Sequence, residues 1–279
     1  PHPGDVTANV RKILSEYLAC GIDPEKAAIY VQSDVKEVLE LYLYLNMNAY
    51  LGELQRVTSF KEKARKQPEN VNAGLLTYPT LMAADILIHR ADKVPVGKDQ
   101  EQNMEMARKF ARRFNTIYGV EFFPEPQSYS FGGDAIKVPG LDGSGKMGKS
   151  EGNAIYLIDD AATIRKKVMK AVTDSGPTQP NSEKPEAIAN LFTMLKIVSS
   201  ADTYDYFNEK YNACEIRYGD LKKQLAEDIV NFTSPIRERI LAYAADTEYM
   251  DKVAREGAEK ARASADKTIR EVRKIIGFN

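Results

Sequence analysis

Two groups of residues in this chain have the types and spacing that chemistry requires. The first is on a predicted helix, where Tyr78, Met82 and Asp85 follow at i, i+4 and i+7 and share one face. An aromatic ring, a thioether and a carboxylate form a pocket wall in which Asp85 can accept a hydrogen bond from a ligand N–H or O–H. The alternative is a structural pair of Asp85 with His89 at the edge of the helix. The spacing leaves both interpretations open.

The second group is in the glycine-rich segment from Gly140 to Ser150. Its glycines make the loop pliable, and the ammonium groups of Lys146 and Lys149 could close over a polyphosphate as negative charge develops on it. Glycine flexibility without any ligand contact is the alternative, and spacing alone does not separate the two.

The same segment satisfies the GxxxxGK[ST] pattern of a phosphate-binding P-loop from Gly143 to Ser150. A P-loop needs a helix directly after it, whose N-terminus helps to hold the phosphates. Residues 154–157 instead predict an extended segment. We therefore do not predict a P-loop.

The elements that position the first group indicate an open α/β sheet. The apolar run from Leu81 to Ile88 predicts a helix that begins with Pro79 at its first position. The short apolar piece from Val94 to Val96 predicts a strand of a parallel sheet, buried on both faces.

The next helix is predicted to begin with Asp99 as its N-cap and Gln102 completing a capping box. Ligands of open α/β sheets bind beyond the carboxyl ends of the strands. Gly97, Asp99 and Gln100 are therefore expected near a nucleotide or a small polar ligand.

The rest of the chain predicts strands and helices first and helices alone from residue 159 onward, which indicates an α/β domain (1–158) followed by a helical domain (159–279). The earlier elements are a helix that ends at Gly21, a strand at Ala27–Val31, helices over 33–45 and 52–60, and a short strand at Ala135–Val138. The later helices are predicted at 164–172, 185–198, 203–211, 218–245 with a kink or break at Pro235, and 249–276.

Composition limits the classes of function. The chain has 279 residues with a formal net charge of −1, which argues against broad, sequence-blind coating of nucleic acid. Cys20 and Cys214 are far apart in sequence, so neither a disulfide framework nor a zinc or iron–sulfur site is predicted. No apolar run reaches the length of a membrane span, and a reducing cytoplasm is the expected location.

Several segments resemble one enzyme family. Residues 146–150, KMGKS, resemble the KMSKS signature of class I aminoacyl-tRNA synthetases, with Gly148 in place of the middle serine. YPTLMAADIL (78–87) and VPVGKDQEQN (94–103) closely resemble the bacterial-type tryptophanyl-tRNA synthetases. The likeness spans nearly the whole chain in the family's order, through GELQRVTSFKEK (52–63), VNAGLLTYP (71–79), AVTDSG (171–176) and SPIRERI (234–240).

The resemblance implies a Rossmann-like class I catalytic domain with a KMSKS-type loop, followed by a helical domain that binds the tRNA anticodon. It implies that tryptophan and ATP, which brings Mg²⁺ with it, react to tryptophanyl-adenylate and pyrophosphate, and that the acyl group then passes to tRNA(Trp). A homodimer is also implied, and the region around Gly52–Phe60 is a candidate for its interface.

The resemblance also implies a role for individual residues. Asp85 would accept the indole N–H, a group that only donates, and Gln100 would hold the polar end of tryptophan. Tyr78, Met82, Val94 and Val96 would surround the ring. The implied ATP-binding residues are Gly97, Asp99, Gln100, Lys146, Met147, Lys149 and Ser150, and the implied catalytic residues are Lys63, Lys146 and Lys149.

The HIGH signature of class I synthetases is not present in this sequence, whose histidines are His2 and His89. In the family it lies on the first strand–helix unit, upstream of Pro1. We therefore expect that an upstream segment with the first strand of the sheet is missing, and that the chain alone does not form adenylate. A tyrosine-specific synthetase and a non-catalytic tRNA-binding relative are the alternative functions.

Overall fold

The computed structural model describes residues 3–129, 137–148 and 151–278. Helices make up most of them: α1 (Pro3–Ala19), α2 (Glu37–Met47), α3 (Leu51–Arg56), α4 (Thr58–Lys66), α5 (Ala73–Leu87), α6 (Glu101–Tyr118), α7 (Ala161–Met169), α8 (Glu186–Val198), α9 (Ala201–Asn212), α10 (Tyr218–Ala245) and α11 (Thr247–Ile276). Strands β1 (Lys93–Pro95) and β2 (Gln127–Tyr129) pair in parallel, with Val94 opposite Ser128.

The chain divides into two compact units, each built from separate stretches of sequence. One unit combines the described residues up to Asp23 with those from 137 to Met250. The other combines Pro24–Tyr129 with Asp251–Phe278. The predicted division into a catalytic and a tRNA-binding part at residue 158 concerns function and stays a prediction.

Helix α5 lies at the centre of the unit that contains both strands. It packs between α2 and α6, and Ala83, Ala84 and Leu87 are fully buried there. Small side chains at two successive positions let the neighbouring helices approach closely. The face of α5 that carries Tyr78, Met82 and Asp85 is therefore held by a rigid core.

The predicted start of α5 at Pro79 is wrong. Asn72 caps the helix, since its Oδ1 accepts the backbone N–H of Leu75 at 2.9 Å. Pro79 lies inside α5, where it has no N–H to offer the carbonyl of Leu75.

Two strand predictions also need correction. Lys93 and Pro95 are exposed and Val94 is only partly buried, so β1 is not covered on both faces. It has three residues and, in the described part of the chain, pairs only with β2. The segment Ala27–Val31 forms no strand, because no described segment pairs with it. Of the strand predicted at 135–138, residues 135–136 lie outside the described residues, and 137–138 are not in a strand.

The predicted capping box at Asp99 is wrong as well. A short 3₁₀ turn, Lys98–Gln100, precedes α6, which begins at Glu101. Gln102 does not return to the start of its own helix, because its Oε1 accepts the backbone N–H of Thr58 at the start of α4.

The predicted helices of the C-terminal part are confirmed within a few residues at each end. Helix α10 continues through Pro235 without a break. The hydroxyls of Thr233 and Ser234, just before the proline, bond to the carbonyls of Ile229 and Val230 at 2.8 and 2.7 Å. Further upstream, Val57 is extended and divides the helix predicted at 52–60 into α3 and α4.

At Gly257, α11 passes close to the backbone of Ile29 in the same unit. A Cβ atom there would overlap the carbonyl group and backbone nitrogen of Ile29. Gly219, in α10, has open space around the same position. The two helical glycines therefore differ in what an added methyl group would meet.

We expect Gly257→Ala to lower the free energy of unfolding by about 1–3 kcal/mol, because the added methyl group must displace backbone. The matched substitution Gly219→Ala should raise it by about 0.5–1 kcal/mol, because alanine is the better helix former. Chemical denaturation of both variants measures the difference. Equal effects of the two substitutions would contradict the close approach at Ile29.

Candidate active site

Asp85 is half-buried on α5, and its hydrogen-bond partner is the side chain of Gln32. The Nε2 atom of Gln32 lies 2.8 Å from each carboxylate oxygen. Burial raises the pKa of Asp85, whereas the Gln32 hydrogen bond and the charge of His89 act to lower it. The carboxylate is thus oriented by an amide that carries no charge of its own.

His89 does not hydrogen-bond to Asp85. Its Nε2 lies 2.9 Å from the hydroxyl of Tyr30, and its Nδ1 lies 3.2 Å from the hydroxyl of Ser264. Burial lowers the pKa of His89, and the nearby Asp85 acts in the opposite direction. A neutral imidazole can donate from one nitrogen and accept at the other, which suits two hydroxyl partners. The interaction between Asp85 and His89 is therefore electrostatic only.

Gln32 was not among the predicted site residues. It begins a short 3₁₀ turn, Gln32–Asp34, directly after the apolar segment 27–31. Ligands of open α/β sheets bind beyond the carboxyl ends of the strands. Applied to the strand that the sequence predicted at 27–31, this rule could have identified Gln32.

Tyr78 joins the Asp85 face of α5 to helix α4. Its hydroxyl bonds to the hydroxyl of Ser59, and the Nζ of Lys63 lies 4.8 Å from the centre of its ring. Ser59 and Lys63 are four residues apart on α4 and so share a face. The structure thus brings Lys63 to Tyr78, on the helix that carries Asp85.

The apolar residues predicted for the pocket lie in the same unit. Met82, Val94 and Val96 are each partly buried and pack against its hydrophobic core. Partly buried side chains of this kind keep some apolar surface available to a ligand.

Gln100 is held by two neighbours. Its Oε1 accepts from Asn103 Nδ2 at 2.9 Å, and its Nε2 donates to Asp99 Oδ2 at 3.1 Å. Gly97 directly precedes the 3₁₀ turn that contains Asp99 and Gln100, and a Cβ atom there would clash with the carboxylate of Asp99. Asn103, which the sequence analysis did not single out, thus fixes the orientation of the Gln100 amide.

The second predicted group lies in the other unit. The backbone N–H of Met147 bonds to the carbonyl of Val138 at 3.1 Å, and that of Gly148 bonds to Asn153 Oδ1 at 3.0 Å. Lys146 precedes them in the same loop, whereas Lys149 and Ser150 lie outside the described residues. Asn153 was not predicted to take part in this site.

The residues after the loop agree with the prediction that it is not a P-loop. In the described residues after the loop, the next α-helix, α7, begins at Ala161, where Asp160 Oδ1 accepts the N–H of Thr163 at 2.7 Å. In the described ranges, no group of three or more His, Cys, Asp or Glu side chains is placed to hold a metal ion. Nor does the part of the chain that the structure covers contain a helix long and apolar enough to cross a membrane.

Comparisons with known proteins decide the family. The family described as tRNA synthetases class I (W and Y) matches residues 3–234. A curated tryptophan–tRNA ligase from Porphyromonas gingivalis is 78% identical over 278 residues, which cover 100% of this chain and 85% of that protein. The chain belongs to the bacterial-type tryptophanyl-tRNA synthetases.

Two further relatives agree with this membership. A tryptophan–tRNA ligase from Listeria monocytogenes is 41% identical over 272 residues, covering 96% of this chain and 80% of that protein. The crystal structure of the Campylobacter jejuni tryptophanyl-tRNA synthetase with ADP and tryptophan aligns with a TM-score of 0.87 and 32% identity. That alignment covers 100% of this chain and 86% of the other.

These findings confirm the prediction that the chain is a class I aminoacyl-tRNA synthetase. The synthetase is an enzyme with the Rossmann-like class I fold and a helical C-terminal part, as the sequence resemblance implied. These comparisons do not assign roles to single residues, and such roles are proposed below from the geometry of the site.

The raised pKa of Asp85 predicts how its substitution changes stability with pH. The folded state holds the Asp85 proton more tightly than the unfolded state, so stability is lost as pH rises from the unfolded pKa through the folded one. Asp85→Asn removes this loss. The variant should therefore melt above the parent protein at pH 7, and the difference should shrink as the solution is acidified.

Thermal melts at several pH values measure this difference. Asp92→Asn, which makes the same chemical change at an exposed position, is the control. A stabilisation by Asp85→Asn that grew as pH fell would contradict the assigned direction of the shift.

Proposed function

We propose that this synthetase transfers the adenylyl group of ATP to L-tryptophan with release of pyrophosphate, and then passes the tryptophanyl group to tRNA(Trp), with Asp85 as the residue that recognises the indole N–H. The observation that carries the proposal is the half-buried carboxylate that Gln32 orients without neutralising it. High identity to relatives named tryptophan–tRNA ligases supports tryptophan as the amino acid.

The indole N–H is a donor without acceptor capacity, so a carboxylate is its natural partner in a pocket with limited access to water. Gln32 uses one donor atom on both Asp85 oxygens, and lone pairs on those oxygens remain for a ligand. A hydrogen bond to a charged group contributes about 1.5–3 kcal/mol, which is enough to select among amino acids of similar size.

The rest of the amino acid pocket follows from the residues around α5. Met82, Val94 and Val96 would contact the faces and edge of the indole ring, with Tyr78 beside them. Gln100, whose amide is oriented by Asn103 and Asp99, would bond to the polar end of tryptophan.

The first chemical step needs positioning and charge stabilisation more than a base. The tryptophan carboxylate is already ionised; it attacks the α-phosphorus of ATP, and pyrophosphate leaves with the electron pair of the broken P–O bond. We propose that Lys63, Lys146, Lys149 and Ser150 bind the phosphates, with Met147 in the same loop. Gly97 and Asp99 would contact the ribose, and Mg²⁺ would enter bound to ATP.

The acyl group would then pass from the adenylate to the terminal adenosine of tRNA(Trp). We assign binding of the anticodon to the helical part, residues 159–279, and place the enzyme in the cytoplasm, where translation uses its product. Whether the 279 residues act alone or need an upstream segment is answered by assaying the chain and the complete reading frame side by side.

A second copy of the chain is the proposed partner of an exposed apolar face on α2. Leu39, Leu43 and Met47 follow at i, i+4 and i+8 and are 62%, 57% and 77% exposed. Tyr50 and Leu51 extend the apolar surface toward the predicted interface region. A two-fold dimer would bury the same face on both copies.

Asp85→Ala tests the recognition of tryptophan. In the complete enzyme that carries this chain, the variant should lower kcat/KM for tryptophan-dependent pyrophosphate exchange roughly 10- to 100-fold, the loss of one charge-assisted hydrogen bond. Asp92→Ala is the matched control and should leave the exchange rate unchanged. Equal rates for parent and Asp85→Ala would overturn the role of Asp85, and exchange with tyrosine alone would overturn the function.

Two substitutions by glutamate on α2 test the proposed dimer face. Leu43→Glu combined with Met47→Glu should convert a dimer into a monomer, because each copy would contribute two carboxylates and the shared face would bury four. Light scattering after size-exclusion chromatography measures the mass. Ile117→Glu, at a similarly exposed position on α6, is the control. A double variant that stays dimeric would place the interface elsewhere.

A further inference from the structure

One buried amide connects both sides of Met147 in the lysine-bearing loop. Asn153 is 5% exposed, and its Nδ2 lies 3.0 Å from the backbone carbonyl oxygen of Lys146. Its Oδ1 accepts the backbone N–H of Gly148 at 3.0 Å. The peptide groups immediately before and after Met147 are therefore bonded to the same side chain.

The amide of Asn153 also reaches the base of the loop. Its Nδ2 lies 2.9 Å from Asp142 Oδ1 and 3.0 Å from Ser144 Oγ. Ser144 donates to Asp142 Oδ1 from both its backbone N–H and its hydroxyl. Together with Lys146, these groups surround the Nδ2 atom with three acceptors.

The base of the loop is itself attached to the core of its unit. Asn190, on α8, donates from Nδ2 to the carbonyl of Ser144 at 3.0 Å, and Val172 donates to the carbonyl of Leu141 at the same distance. A Cβ atom at Gly143 would press against Ala187 of α8. Asn153 thus links a fixed base to the residues that present the Lys146 ammonium group.

A lysine side chain is long and flexible, so the direction of its backbone decides how much of its freedom is lost when it reaches a phosphate. Small misplacements of a charge-stabilising group are costly, since about 1 Å can change a rate 10²-fold. A side chain that holds the peptide groups on either side of Met147 limits such misplacement of the neighbouring lysine.

We propose that Asn153 is a positioning residue for adenylate formation, which acts by fixing the backbone from which Lys146 reaches the phosphates of ATP. The proposal rests on the role assigned to Lys146 above. The amide of Asn153 is bonded to groups of the loop itself, so its effect should belong to the phosphate half of the reaction. Affinity for tryptophan, which depends on the Asp85 pocket, should not change.

The test is a double-mutant cycle in the complete enzyme that carries this chain. Asn153→Ala should lower kcat for pyrophosphate exchange about 10- to 100-fold at saturating substrates, with KM for tryptophan unchanged. Lys146→Ala should also be slow. The double variant should be no slower than Lys146→Ala, because residues that act through one group are not additive.

Two further variants separate positioning from stability. Asn115 is another side chain that holds backbone, since its Oδ1 accepts the N–H groups of Phe122 and Phe123. Asn115→Ala should lower the melting temperature without lowering kcat. Asn153→Asp keeps an acceptor for Gly148 but loses both N–H groups and faces Asp142, so it should be as slow as Asn153→Ala.

The outcomes are distinct. No exchange by the unmodified enzyme would overturn the proposed function. A slow Lys146→Ala beside a fast Asn153→Ala would overturn the inference and leave the function standing. A double variant whose fold-loss of kcat is the product of the two single losses would also overturn the inference. A raised KM for tryptophan in Asn153→Ala would do the same. Exchange unaffected by Lys146→Ala would overturn both the role of Lys146 and the inference.

Discussion

In the proposed pocket, the half-buried carboxylate of Asp85 accepts hydrogen bonds from the uncharged amide of Gln32, and recognition of the ligand would depend on this interaction. Removing a charge from water is costly, and a cation beside Asp85 would offset that cost but compete with the ligand. Gln32 orients the two oxygens and leaves the negative charge in place. The burial that raises the pKa of Asp85 also lowers that of His89, which favours a neutral imidazole beside it. An N–H group of the ligand would then meet the Asp85 carboxylate with its negative charge still in place.

The same kind of contact, a side-chain amide that holds another group in place, recurs at two other predicted site residues. Gln32 holds Asp85, Asn103 holds Gln100, and Asn153 holds the backbone beside Lys146. An amide both donates and accepts, so it can fix geometry at two points and add no charge to the site. The two compact units each use it, one for the amino acid pocket and the other for the lysine-bearing loop. Under the proposed function, recognition and phosphate chemistry would thus be supported by separate cores.

The sequence predicted which residues share one face of α5 better than it predicted where that helix begins. Tyr78, Met82 and Asp85 share a helix face because their spacing depends only on the helical period, which burial does not alter. The start of that helix was misplaced, since Pro79 is a strong local signal and the Asn72 cap outweighs it. The pairing of Gln32 with Asp85 had no signal in the sequence, because the two residues are 53 positions apart. Pairing of strands is likewise a property of the fold, which is why 27–31 was assigned a strand that the structure does not contain.

The most direct measurement of recognition removes the donor from the ligand. An analogue of tryptophan whose ring N–H is replaced by sulfur, β-(3-benzothienyl)alanine, keeps the shape and loses the hydrogen bond. Titration calorimetry with the complete enzyme should give an affinity for tryptophan about 10- to 100-fold higher than for the analogue, and Asp85→Ala should bind the two equally. Equal affinities in the unmodified enzyme would contradict a hydrogen bond between Asp85 and the indole.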